Sequence, residues 1–153
     1  MQIYIASDHA GFKLKNELYD FLNSSGYVLK DIGSKEYDPA DDYPDYASNL
    51  AKMVRIDPES MGILLCRNGV GVCIVANKFD GIRAVNTTDL NIAISSRNDD
   101  DTNILCLGAD YIDFEEAKVI RESLGLNVGV GNGPMNGAAR GLSRGHGMGN
   151  SNK

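Results

Sequence analysis

The chain has no tryptophan, only two histidines and three cysteines among 153 residues, and just 7% aromatic content. Its cysteines, Cys66, Cys73 and Cys106, are odd in number and lack C-x-x-C spacing, so neither a disulfide framework nor a zinc site is indicated. A reducing, cytoplasmic setting fits that usage. Lys and Arg number 15 against 21 Asp and Glu, and a net charge of -6 argues against the broad positive surface of a nucleic-acid binder. A small phosphorylated ligand needs only a few local donors and stays compatible with that balance. No apolar run approaches the roughly 20 residues of a membrane span. Met1-Gln2-Ile3-Tyr4 also lacks the basic start and apolar core of a secretory signal. What is present is ordinary for a globular domain: 42% hydrophobic and 24% charged residues, enough for one core.

Short apolar runs alternate with helical periodicities along the chain. Ile3-Tyr4-Ile5-Ala6 reads as a strand ending at Ser7-Asp8-His9. Phe12, Leu14, Leu18, Phe21 and Leu22 follow at helical spacing, and Asn23-Ser24-Ser25-Gly26 stops that helix. Tyr27-Val28-Leu29 and Ile32 give a second strand, with Asp31 near its end. After an acidic loop, Asp45 is the expected cap of a helix whose stripe is Tyr46, Ala47, Leu50, Ala51, Met53 and Val54. Gly81 to Val85 predicts a fourth strand, Thr87, Thr88 or Asp89 caps the next helix, and Asn103 to Gly108 predicts a fifth strand. Phe114, Ala117, Ile120 and Leu124 mark the last helix. This rhythm calls for a parallel sheet covered on both faces, with ligands at the carboxyl ends of the strands.

The third strand carries the chemistry. Gly62-Ile63-Leu64-Leu65-Cys66 runs into Arg67-Asn68-Gly69-Val70-Gly71, after which Val72, Val75 and Ala76 keep helical spacing. A strand breaking into a Gly-rich turn and a helix points several N–H groups at one spot, suited to a phosphate or a developing oxyanion. Cys66 stands where its thiolate is stabilised, as a base or nucleophile beside that nest. Asp8-His9 ends another strand and is expected to touch a ligand. Asp99-Asp100-Asp101 leads into the fifth strand, so it joins such a site only by folding back or from another subunit. Beyond Leu124 apolar residues thin out and nine of the 17 glycines occur. Residues 1–125 are therefore expected to form the domain, with 126–153 a tail loosely attached or ordered by a partner.

Six motifs, in order and at matching spacing, resemble the ribose-5-phosphate isomerase B family, which includes the galactose-6-phosphate isomerase subunits. They are Ser7-Asp8-His9-Ala10-Gly11-Phe12, Asp42-Tyr43-Pro44-Asp45-Tyr46-Ala47, the Gly62 to Gly71 stretch, Ala76-Asn77-Lys78, Gly81-Ile82-Arg83-Ala84, and Thr102-Asn103-Ile104-Leu105-x-Leu107-Gly108. The resemblance implies a three-layer α/β/α sandwich with a five-stranded parallel, Rossmann-like sheet. It implies an aldose–ketose isomerase without metal or cofactor, working as a homodimer or homotetramer with sites between subunits. On that likeness Cys66 moves the proton between C1 and C2 of a sugar phosphate. Arg67, Asn68, Gly69, Val70 and Gly71 hold the enediolate oxygen, and Asp8 and His9 contact the sugar.

The departures are specific. The family loop Cys-Gly-Thr-Gly is Cys66-Arg67-Asn68-Gly69 here, which offers an Asn68 amide and adds Arg67 as a phosphate contact. Asp99 stands where a histidine opens the sugar ring, and Asp100 replaces the asparagine after it. Asp110 falls where many members carry a phosphate-binding arginine, and Arg140 and Arg144 are the remaining candidates for that task. The expected reaction interconverts ribose 5-phosphate and ribulose 5-phosphate. The alternatives are another sugar phosphate, tetrose or hexose, and a binding homologue that has lost catalysis. A mononucleotide-binding Rossmann-like protein finds its one support in Asp31.

Overall fold

The computed structural model describes residues 1–120 together with Ser123 and Gly125. Five strands and five helices alternate: β1 (Gln2–Ser7), α1 (Phe12–Ser24), β2 (Val28–Asp31), α2 (Tyr43–Ile56), β3 (Met61–Cys66), α3 (Val70–Ala76), β4 (Ala84–Asn86), α4 (Leu90–Asp100), β5 (Ile104–Gly108) and α5 (Phe114–Ile120). A 3-10 turn, His9–Gly11, joins β1 to α1. All strands are parallel, in the order β2-β1-β3-β5-β4.

Because successive strand residues point to opposite faces, residue parity sorts the core into two layers. Ile3, Ile5, Ile63, Leu65, Leu105 and Leu107 pack with Leu14, Leu18 and Leu22 of α1, Ala93 of α4 and Ala117 of α5. Tyr4, Ala6, Leu64, Cys66, Ile104 and Cys106 face the other way, against Ala47, Leu50, Ala51 and Val54 of α2 and Val72 and Ala76 of α3. The result is the α/β/α sandwich with a five-stranded parallel sheet. Every residue of β3 is buried, as a central strand covered on both faces requires.

Element boundaries differ from the sequence reading in three places. Helix α2 begins at Tyr43 rather than after Asp45; Asp42 is its N-cap and Pro44 lies in the first turn. A proline there loses no hydrogen bond, since the first N–H groups of a helix have no intrahelical partner. Helix α3 begins at Val70, two residues earlier than expected, because Gly69 adopts a left-handed φ of 77° and closes the turn by itself. Strand β4 is cut to three residues at the sheet edge. Before it, Arg83 pairs with Asn103 instead: its N–H donates to Oδ1 at 2.9 Å and its carbonyl accepts the Asn103 N–H at 2.9 Å.

The chain leaves β1 outward to β2, then crosses back to β3 on the other side of β1. The carboxyl ends of β1 and β3 therefore flank the switch in strand order, where open α/β sheets place their ligands.

Candidate active site

Four strand ends converge on the loop after β3. The Asp8 N–H reaches the Leu65 carbonyl at 3.4 Å, tying the end of β1 to β3. Ala109 and Asp110 donate to the Cys66 and Arg67 carbonyls at 2.9 and 3.0 Å, tying the end of β5. From β4, Asn86 Nδ2 donates to the Asn68 carbonyl at 3.3 Å. Gly108 lets this happen: a Cβ there would stand 2.6 Å from the Asn68 carbonyl carbon. Between these ends opens a cleft of about 440 Å3, lined by residues that include Asp8, His9, Tyr43, Cys66, Arg67 and Gly71.

Cys66 forms part of the cleft wall and is only 3% exposed. The Gly69 N–H donates to its sulfur at 3.1 Å, and Asn68 Oδ1 lies 3.9 Å from it. That backbone donor fixes the position of the sulfur in the cleft wall. The same hydrogen bond changes the expected nest. The Gly69 amide serves the sulfur, and Asn68 Oδ1 accepts the Val70 N–H at 3.0 Å. Asn68 thus caps the short helix with its oxygen, whereas the sequence suggested it as a donor. Tyr43 packs close to Gly71, where a Cβ would come within 2.6 Å of Tyr43 Cζ.

Across the cleft, Asp8 is buried and its Oδ1 accepts the Gly11 N–H at 3.2 Å. Burial raises its pKa above the ordinary carboxylate value, against the opposing pull of that hydrogen bond. His9 is engaged twice by Asp41 Oδ1, through its backbone N–H at 3.0 Å and through Nδ1 at 2.7 Å. Arg67 points outward at 68% side-chain exposure, with Asp110 Oδ2 at 3.5 Å from its guanidinium. The residue at the position of the family's arginine is thereby the counter-charge of this chain's own arginine.

The structure does not gather every candidate at one place in the chain. Asp99 and Asp100 form the last turn of α4, and Asp101 closes it in a left-handed conformation with φ 53°. That turn leads into the start of β5, whose Ile104 pairs with Gly62 at the opposite end of β3 from Cys66. The rise between Gly62 and Cys66 alone is about 13 Å. Arg140 and Arg144 lie outside the described residues, as does the tail 126–153.

Cys106 is fully buried, and burial pushes its thiol pKa well up. Cys73 is half-buried with its pKa lowered, chiefly by a hydrogen bond from Cys106. Asp31 is committed elsewhere, accepting from Lys15 Nζ at 2.7 Å and from the Gly33 N–H at 2.8 Å. That removes the support for a ribose-binding acid of the mononucleotide type. Among the described residues no three His, Cys, Asp or Glu side chains group as a metal site, and no helix is long and apolar enough to cross a membrane.

The family described as Ribose/Galactose Isomerase matches residues 3–124. This chain belongs to it. It is 46% identical over 123 residues to the Mycoplasma pneumoniae protein named Probable ribose-5-phosphate isomerase B, covering 80% of this chain and 81% of that one. Identity to D-erythrulose-4-phosphate isomerase of Pectobacterium atrosepticum is 39% over 123 residues, covering 78% and 79%. Ribose-5-phosphate isomerase B of Mycoplasma genitalium, solved with bound ribulose-5-phosphate, matches with a TM-score of 0.78 at 35% identity, over 82% of this chain and 83% of that one.

Sequence reasoning alone missed Asp41. It lies 32 residues from His9 in an acidic loop, and no spacing rule joins the two. Tyr43, read from the sequence as shaping the entry to a helix and as a residue that could line a site, does line the cleft.

Proposed function

We propose that this member of the ribose/galactose isomerase family interconverts ribose 5-phosphate and ribulose 5-phosphate, with the Cys66 thiolate as the base. The observation that carries the reading is the Gly69 N–H on the Cys66 sulfur at 3.1 Å, in the wall of a cleft shared with Asp8 and His9. The thiolate takes the C2 proton of the open-chain aldose. The released electron pair forms the C1–C2 double bond and leaves charge on O1, giving an enediolate. Returning the proton to C1 while O2 becomes the carbonyl completes the ketose. Between these steps one proton must move from O2 to O1. In this reading Asp8, which lines the same cleft and whose burial favours the protonated carboxyl, relays it. With the Gly69 and Val70 amides engaged by the sulfur and by Asn68, the rest of the Arg67 to Gly71 loop steadies the charged oxygen, and Arg67 at the rim takes the phosphate.

Asp99 enters this scheme from a second subunit, as the group that opens the sugar ring, with Asp100 beside it. A homodimer or homotetramer with sites between subunits follows. The distance of Asp99 from Cys66 within one chain supports that arrangement.

A second reading keeps the chemistry on a tetrose phosphate, which needs no ring opening. The 39% identity to an enzyme named for D-erythrulose 4-phosphate favours testing it. Rates of the purified protein on ribose 5-phosphate and erythrose 4-phosphate, with Cys66→Ala alongside, decide both points. Higher kcat/KM on the pentose supports the first reading, higher on the tetrose the second. Turnover that survives Cys66→Ala on either sugar contradicts the mechanism.

A further inference from the structure

Asp41 takes no part in the scheme above, yet its side chain is 5% exposed and held against a residue of the cleft. Its Oδ1 accepts both the His9 backbone N–H at 3.0 Å and the His9 ring at 2.7 Å, while buried Oδ2 makes no well-formed hydrogen bond and the carboxylate also interacts with the Tyr46 hydroxyl, whose pKa is raised by burial first and by Asp41 behind it. An unsatisfied buried carboxylate oxygen costs stability. Functional or strained sites are where such local rules are broken. A carboxylate only accepts, so the proton between the two groups belongs to His9 Nδ1. Nε2 is then the ring atom left for the cleft, which His9 lines. The Tyr37 ring meets the imidazole edge-on, with centroids 6.3 Å apart and an interplanar angle of 87°, and limits its rotation from another side.

We propose that Asp41 is a positioning residue: it fixes His9 as the Nδ1–H tautomer in one orientation, so that Nε2 addresses the sugar phosphate. In the neutral ring Nε2 accepts a hydrogen bond from a sugar hydroxyl; in the protonated ring it donates to an anionic oxygen. What Nε2 meets rests on the isomerase reading, but the tautomer does not. A merely structural Asp41 would tie down the loop before α2 and leave the tautomer free.

With two histidines in the chain, the His146→Gln protein carries a single imidazole, whose tautomer can be read by nitrogen-15 NMR at a pH where the ring is neutral. The expected result is an Nδ1–H ring that shifts towards Nε2–H in Asp41→Ala, with kcat/KM for ribose 5-phosphate falling about tenfold or more. Asp41→Asn, which keeps an acceptor oxygen, should restore most of both. An Nε2–H ring in the His146→Gln protein overturns the proposal, and this reading holds even if Asp41→Ala does not fold. The same ring in folded Asp41→Ala as in its parent overturns it too. A tautomer that shifts in a protein inactive on every sugar phosphate upholds the positioning and rejects the isomerase reading.

Discussion

Gly69 shows how one residue type decides the geometry around the sulfur. Its φ of 77° costs a residue with a side chain about 1–2 kcal/mol. A Cβ there would also run into the Asn86 carboxamide. Gly69→Ala should therefore lower stability by about 2 kcal/mol or more in urea unfolding, and turnover should fall with it as the amide leaves the sulfur. Wild-type turnover in that variant would mean that the amide is dispensable. Asp8 gives the clearest pH prediction. Its folded pKa is raised by burial, so the folded state binds its proton more readily than the unfolded chain does. Stability from this group is present below the ordinary carboxylate pKa and is lost as pH rises through the raised value. Asp8→Asn, which keeps an acceptor for the Gly11 N–H, should melt above wild type at pH 7. The gap should close as the pH falls into the acid range. A variant that melts lower at pH 7 would reverse that sign. At this scale the placement of Cys66 and Gly69 at one strand end was legible, because a strand, a thiol and a Gly-x-Gly turn are local in the chain. The Asp41–His9 pair was not, since only the folded sheet brings β1 and the acidic loop together.

Among the elements, the segment between β2 and α2 depends on a buried cation. Lys15 on α1 is wholly buried, donates to Asp31 Oδ2 at 2.7 Å and to the Ser34 carbonyl at 2.8 Å, and stands 5.1 Å from the Phe12 ring centroid. Removing Lys15 leaves Asp31 only the exposed Lys35 at 3.8 Å as a counter-charge, and losing one partner of a buried pair costs about 3–5 kcal/mol. Lys15→Met should lose that much in denaturant unfolding, and Lys15→Met with Asp31→Asn should recover most of it. If the double variant is no more stable than the single one, the pair is not what holds the segment. The sequence pattern placed Lys15 in a helix but gave no sign of its burial, because lysine is rarely buried unless paired. Helix and strand identity was readable throughout from apolar spacing. The start of α2 was not, because Asp42 and Asp45 are equally good capping residues and the position of Pro44 decides between them.

At the level of the whole molecule, residue parity on five short strands builds two apolar layers, and the switch between β1 and β3 sets where the cleft opens. Alternating strand and helix patterns made that architecture readable. How copies of the chain would meet in the proposed assembly was not, because no periodicity encodes an interface. If Asp99 acts from a second subunit, mixing inactive Cys66→Ala with inactive Asp99→Ala should restore activity. Random pairing in a symmetric dimer leaves about a quarter of all sites intact, so about a quarter of the wild-type rate is expected. Mixtures that stay inactive after verified subunit exchange would place ring opening elsewhere.

The most direct measurement follows hydrogen at the sugar carbons by NMR while ribose 5-phosphate is incubated with the protein in deuterium oxide. Wild type should produce ribulose 5-phosphate with solvent deuterium entering at the exchanged carbon, and folded Cys66→Ala should lose at least about a thousandfold in rate, or some 4 kcal/mol of transition-state stabilisation. Deuterium entry and turnover at wild-type rates in Cys66→Ala would show that another group carries the proton.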